Sequence, residues 1–167
     1  EKVVLVGANE AHKTIDLLKA RKIPVLVSRV HNLPLHEDDD YDRPYKNAAE
    51  LVQNGILVAL ENSGSMERMN GRNLPFYAGT VASFGLSDEE ALALISLNPA
   101  KILGIDDDYG SLEKGKSATL FISEGNPLDM RTNQLLRAYI DGREISLETH
   151  QTELWKRYMD KYESQGR

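Results

Sequence analysis

The sequence predicts an α/β fold, a short parallel sheet with helices followed by a small β-unit and a terminal helix, and three observations carry that expectation. Short apolar runs alternate with amphipathic stretches from Val3 to Leu60. From Ser117 the chain changes to alternating apolar and polar residues closed by Gly125, Asn126 and Pro127. Near its end, Leu154, Trp155, Tyr158, Met159 and Tyr162 recur at helical spacing. Runs of the first kind suit strands covered on both faces, period two suits a half-buried strand, and the last stripe suits an amphipathic helix.

Taken in order, Val3 to Val6 reads as a buried parallel strand, followed by Gly7 and a helical stretch in which Ala11, Ile15 and Leu18 share a face. Lys19, Arg21 and Lys22 suit the C-terminal end of that helix. Ile23 to Val27 is a second strand, and a loop from Arg29 to Pro44 leads to a helix over Tyr45 to Gln53. Gly55 then opens the third strand, Ile56 to Leu60. Strand, helix, strand, helix, strand implies right-handed crossovers and a parallel sheet. After a loop from Glu61 to Asn73 comes a helix near Leu74 to Phe84. Ser87-Asp88-Glu89-Glu90 has the spelling of a capping box that starts another, carrying Leu92 and Ile95. Asn98 is placed to cap a short helix with Pro99 at its first position and Gly104 in the left-handed conformation at its end. Ala118 to Ser123 reads as a strand, and Asp141-Gly142 as the turn of a hairpin between Ala138-Tyr139-Ile140 and Ile145. The expected units are residues 1–104, 105–146 and 147–167.

A net charge of −6 and a pI near 5.3, with lysines and arginines interspersed among acids, argue against a nucleic-acid partner, which needs a basic stripe. No cysteine is present, so disulfides, thiolate metal sites and cysteine nucleophiles are excluded, while the compartment stays unknown. No run of about 18 apolar residues predicts a membrane span. The chain starts at Glu1-Lys2 and enters a strand almost at once, so the native N-terminus is expected to lie elsewhere.

Two passages are spelled in a way that resembles one family. Asn98-Pro99-Ala100-Lys101-Ile102-Leu103-Gly104, with Gly110-Ser111-Leu112-Glu113-Lys114-Gly115-Lys116-Ser117-Ala118-Thr119-Leu120, resembles the exit from the last helix of a (β/α)8 barrel into a small β-domain in the metal-dependent amidohydrolase superfamily, especially its imidazolonepropionase-like members. Arg72-Asn73-Leu74-Pro75-Phe76-Tyr77-Ala78-Gly79 is similar to the start of a barrel helix there. The resemblance implies the C-terminal portion of such a hydrolase, about three parallel strands of the barrel plus part of the β-domain and the terminal helix. It implies a parent that hydrolyses non-peptide C–N bonds, as in cyclic amides, using a divalent, zinc-like metal.

The same resemblance aligns the first strand with the family's sixth, which ends in a metal-binding His, and the third with the eighth, which ends in the Asp that binds metal and takes a proton from water. Those positions read Gly7 and Ser63. Glycine has no donor atom, and a neutral hydroxyl is a poor substitute for a carboxylate. Both positions are therefore expected to be vestigial, with no metal and no cofactor in this segment and no turnover by it alone. The competing class is a non-catalytic small-molecule-binding or structural protein that kept the fold.

Reacting groups of such a barrel sit on the loops after the strands. Asn9, Glu10, His31, Glu61, Asn62 and Arg72 are accordingly the substrate-binding candidates. His31 is the best placed to contact substrate or transfer a proton, with a local loop hydrogen bond as the alternative. Arg72 and Asn73 either orient a substrate or anchor and cap the helix at Leu74. His12 and His150 read as surface residues, and His36 beside Glu37 to Asp40 as solvated. Three strands cannot close a barrel, so an edge at Val3 to Val6 is exposed. The expected partners are the missing N-terminal half of the same chain and a second copy, giving self-association visible by light scattering. The terminal helix is expected to pack into the core, so that Trp155→Ala costs about 3 kcal/mol.

Overall fold

The computed structural model describes residues 2–64 and 66–165. Three parallel strands, β1 (Leu5–Gly7), β2 (Val25–Ser28) and β3 (Val58–Glu61), form a sheet in sequence order. Leu5 pairs with Val25 and Val25 with Val58, while Gly7 pairs with Val27 and Val27 with Leu60. A 3-10 turn (Ala11–Thr14) and α1 (Ile15–Arg21) make the first crossover, and α2 (Arg43–Gln53) makes the second.

All three strands start two residues later than the apolar runs suggest, and for β2 and β3 the physical reason is the same. Ile23 donates its N–H to the Leu18 carbonyl and Ile56 donates to that of Leu51. These residues close the preceding helices with an apolar contact of the kind that accompanies left-handed caps, and Lys22 supplies such a cap at φ 49°. Ladder pairing begins only after them.

Along the sheet, Val25, Val27, Val58 and Leu60 alternate onto one face and are buried against Ala48 and Leu51 of α2 and Ala78 and Val81 of α3 (Leu74–Ala82). Val6, Leu26 and Ala59 share the opposite face, which also carries Ser28 and Glu61 at the strand ends. The first strand is not doubly covered as its apolar run suggests. Val6 is 57% exposed and Leu5 36%, and among the described residues β1 is hydrogen-bonded on one side only.

The far edge, along β3, is closed. The Leu60 N–H donates to the Leu94 carbonyl at 2.9 Å, and the Asn98 side-chain amide donates to the Val58 carbonyl at 2.8 Å. Asn98 therefore does not cap a helix. It lies inside α5 (Leu97–Leu103), where its amide satisfies a strand carbonyl that would otherwise be left at a buried edge. Gly104 ends α5 in the left-handed conformation at φ 73°, as its position suggests. The capping box is present: Ser87 and Glu90 exchange both bonds at the start of α4 (Asp88–Ala93). The fully buried residues it delivers are Ala91 and Leu94, with Leu92 and Ile95 partly buried beside them.

The second sheet is antiparallel, β4 (Leu120–Ser123), β5 (Leu135–Ile140) and β6 (Arg143–Ile145), with Leu120 opposite Tyr139 and Ile140 opposite Arg143. Asp141 and Gly142 both have positive φ, the requirement of a tight hairpin turn whose twist matches the strands. The sheet is thinly covered: Phe121, Ile122, Leu136 and Ile140 are exposed and Ala138 is buried.

The terminal helix α6 (His150–Gln165) corrects a sequence expectation. It has no buried residue, and Trp155 is 63% exposed, Tyr158 51%, Met159 40% and Tyr162 63%. The stripe is real but has no covering partner among the described residues. Trp155→Ala is accordingly expected to change the denaturation midpoint by no more than about 0.5 kcal/mol equivalent, the range of ordinary surface substitutions. Paired chemical denaturation curves of the two chains check this. Among the described residues, no helix is long and apolar enough to cross a membrane.

Candidate functional site

The C-terminal ends of β1, β2 and β3 bring together the loops that begin at Gly7, Ser28 and Glu61. Gly7 at φ 92° and Ala8 at φ 50° turn the chain sharply out of β1. The turn is held from below by Asn47 of α2, 2% exposed, whose amide nitrogen donates to the Ala8 carbonyl at 3.0 Å. Asn9 and Glu10 follow on the surface. Glu10 is bonded to Lys13 and lies 3.3 Å from His36 Nε2, and the Lys13 bond, with that lysine's charge, lowers its carboxyl pKa. Its carboxylate is thus committed to a local ion pair.

Glu61 is the organised carboxylate of this face. Ser28 Oγ donates to Oε1, and the Ser63 N–H donates to Oε2 at 2.6 Å. Burial raises its pKa, but the Ser28 and Ser63 hydrogen bonds and the charge of Arg29 outweigh that, so the net shift is downward. Ser63 therefore acts on Glu61 through both its backbone N–H and its hydroxyl. Asn62 donates to the Asn70 carbonyl at 3.3 Å, which ties the loop to the 3-10 segment Glu67–Asn73, and its Oδ1 is buried without a partner.

His31 lies beyond β2 and reaches α3. Its Nε2 is 2.7 Å from Thr80 Oγ1, and its ring meets Tyr77 edge-on at 4.7 Å and Tyr45 at 5.8 Å. Partial desolvation lowers its pKa. Arg72 is exposed, and Asn73 makes no side-chain cap on α3, so the capping alternative for that pair is not realised. The acidic loop is spent on structure: Asp39 accepts the His36 N–H at 3.0 Å, and Lys46 binds Asp40 at 2.6 Å and Asp42 at 2.9 Å. Beneath that loop a cavity of about 170 Å³ is lined by Ser28, Arg43 and Asn47, among others.

His12 is the residue that sequence reasoning placed wrongly. It is half-buried against the Arg43–Glu50 pair of α2, its Nδ1 is closed off without a partner, and burial followed by the Arg43 charge lowers its pKa. Only the fold brings α2 against the 3-10 turn, so no local signal marks it.

Both histidines shift downward from 6.5, so the folded chain resists a proton that the unfolded chain accepts. Stability from this source is complete above about pH 6.5 and is lost as the pH falls below it, levelling once the folded pKa is passed. The carboxylates, whose shifts start from about 4.5, give way later. The denaturation midpoint is therefore expected to fall between pH 7 and 5.5, before the carboxylate transition. His12→Gln with His31→Gln should flatten that first decline.

For the divalent metal implied by the resemblance, the donor set does not fit. Gly7 offers no side-chain donor, Ser63 offers a neutral hydroxyl, and among the described residues no group of three or more His, Cys, Asp or Glu converges on one point.

Comparison with known proteins agrees with this architecture. The sequence model of the Amidohydrolase family matches residues 13–154. An imidazolonepropionase of Thermoanaerobacter pseudethanolicus is 32% identical over 91 residues, 53% of this chain and 21% of that protein. A 5-methylthioadenosine/S-adenosylhomocysteine deaminase of Teredinibacter turnerae is 32% identical over 92 residues, 50% of this chain and 21% of that protein. The crystal structure of an amidohydrolase from Thermotoga maritima MSB8 superposes with a TM-score of 0.68 at 32% identity, covering 86% of this chain and 36% of that one. The matches to these two curated relatives thus span about a fifth of their length.

Proposed function

The chain belongs to the amidohydrolase family, and from that premise we propose that it forms one arc of a barrel and one wall of a ligand pocket in a protein of the class that hydrolyses non-peptide C–N bonds, without turning over substrate by itself. The observation that carries this reading is the set of strand ends. They converge on one face as a catalytic face requires, and the resemblance would put Gly7 and Ser63 at the family's ligand and base positions there. Glu61, ionised and held by three donor groups, suits the recognition of ligand N–H groups rather than the removal of a proton.

The test is an assay of the 167-residue chain against a panel of cyclic amides, with and without added zinc. No release of ring-opened product above the buffer rate is expected, and zinc-dependent turnover would overturn the inactive reading. A second reading, a binding protein that kept the fold, is favoured by Gly7 and Ser63. A His-x-His near the first barrel strand of a longer form of the protein supports the enzyme, and its lack supports the binding protein.

The open side of β1, with Val6 57% exposed, further supports completion of the sheet by another segment or a second copy. Light scattering at about tens of micromolar, a concentration that populates weak contacts, is expected to show species larger than the monomer. A strictly monomeric chain would remove the second copy from this reading.

A further inference from the structure

We infer that His31 is the proton acceptor of this face, a neutral imidazole whose own proton is fixed on Nε2 by Thr80 and whose Nδ1 accepts from an N–H or O–H of a bound ligand or water. The inference rests on reading this face as the ligand side, and it adds a group that could take a proton where Ser63 does not.

The geometry supplies the tautomer. Thr80 Oγ1 has a single proton, and it donates it to the Phe76 carbonyl at 3.0 Å, the back-bond to the preceding turn that helical threonines make. The 2.7 Å contact between Thr80 Oγ1 and His31 Nε2 must then be a hydrogen bond donated by the ring. A neutral imidazole with its proton on Nε2 has a lone pair on Nδ1, and that atom has no hydrogen-bond partner among the described residues.

The ring is also held in place. Tyr77 on α3 meets it edge-on at 4.7 Å and 70°, and Tyr45 on α2 lies at 5.8 Å and 35°, so three contacts from two helices fix its plane. Among the described residues, the titratable groups that face it are those two phenols, and no charged side chain contributes to its shift. Desolvation without a neighbouring carboxylate keeps the ring neutral near pH 7, the form that can accept a proton. The transfer is simple to balance: the donor's proton moves to Nδ1, the ring becomes an imidazolium that keeps its Nε2 bond to Thr80, and the donor is left as its conjugate base.

Two measurements on the 167-residue chain decide the matter, and neither needs turnover, so they separate this inference from the hydrolase reading. Long-range proton–nitrogen NMR should show His31 at pH 7 protonated on Nε2 and bare on Nδ1. A proton on Nδ1, or a doubly protonated ring at that pH, would overturn the assignment. Thr80→Val should leave a mixture of tautomers and Thr80→Ser should restore the single one. An unchanged tautomer in a folded Thr80→Val chain would mean that Thr80 does not fix it. Diethyl pyrocarbonate with site-resolved mass spectrometry then reads access to Nδ1. His31 should be acylated at a rate within about tenfold of the exposed His36 and His150, since the neutral, accessible ring is the reactive form. Complete protection of His31 would show that no ligand reaches it.

Discussion

Leu94→Ala is expected to cost about 3 kcal/mol, seen as a lowered denaturant midpoint with an unchanged slope, because it removes a fully buried leucine from the junction of α4 and α5. Leu94 is 0% exposed and belongs to the cluster containing Val58, Leu60, Ala78, Val81 and Leu51. Its carbonyl accepts from the Leu60 N–H at 2.9 Å, and that bond survives the substitution because it is made by the main chain. The cost is therefore that of the lost side chain and the cavity it leaves. Leu92→Ala is the control: Leu92 packs at the margin and its neighbours can close in, so a smaller loss is expected. Equal losses at 92 and 94 would mean that the buried face of this segment has been misassigned.

Gly79→Ala is expected to destabilise the chain by about 2 kcal/mol, although alanine is the better helix former by about 1 kcal/mol. Gly79 sits inside α3, where a Cβ would lie 2.2 Å from the Leu128 carbonyl oxygen and 3.0 Å from its carbonyl carbon. These are main-chain atoms that cannot rotate away. Leu128 is itself 5% exposed, and its loop is braced: its N–H donates to Asn126 Oδ1 at 2.9 Å, Asn133 binds the Pro127 carbonyl at 2.8 Å, and Asn126 reaches Asp88 of α4 at 2.9 Å. The close approach of helix and loop holds Leu128 against the core. Besides the lowered midpoint, limited proteolysis between residues 105 and 146 should accelerate. A stabilised variant would show that propensity outweighs the contact and that the loop stands further from α3.

Much of the fold was legible because its signals are local. Ser87 and Glu90 lie three residues apart and bond to each other, Gly104 takes the one conformation that ends α5, and Asp141-Gly142 meets the φ requirement of its turn. Each is settled within about four residues, so spelling is enough. The three parallel strands were legible for a related reason: apolar runs separated by amphipathic stretches leave few ways to bury both.

What the sequence could not decide are the contacts between residues far apart in the chain. Asn98 has the composition of a cap, yet its amide goes to Val58, because a strand carbonyl at a closed edge needs a donor more than a helix start does. Asn73 likewise stands before a helix without capping it. Glu61 owes its low pKa to Ser28 on the neighbouring strand as well as to Ser63 in its own loop, and His12 owes its burial to a helix more than 30 residues on. The stripe on α6 shows the limit most plainly. Periodicity determined that one face of the helix is apolar, whereas whether anything in the chain covers it depended on where the rest of the chain went, and tertiary structure left Trp155 in solvent.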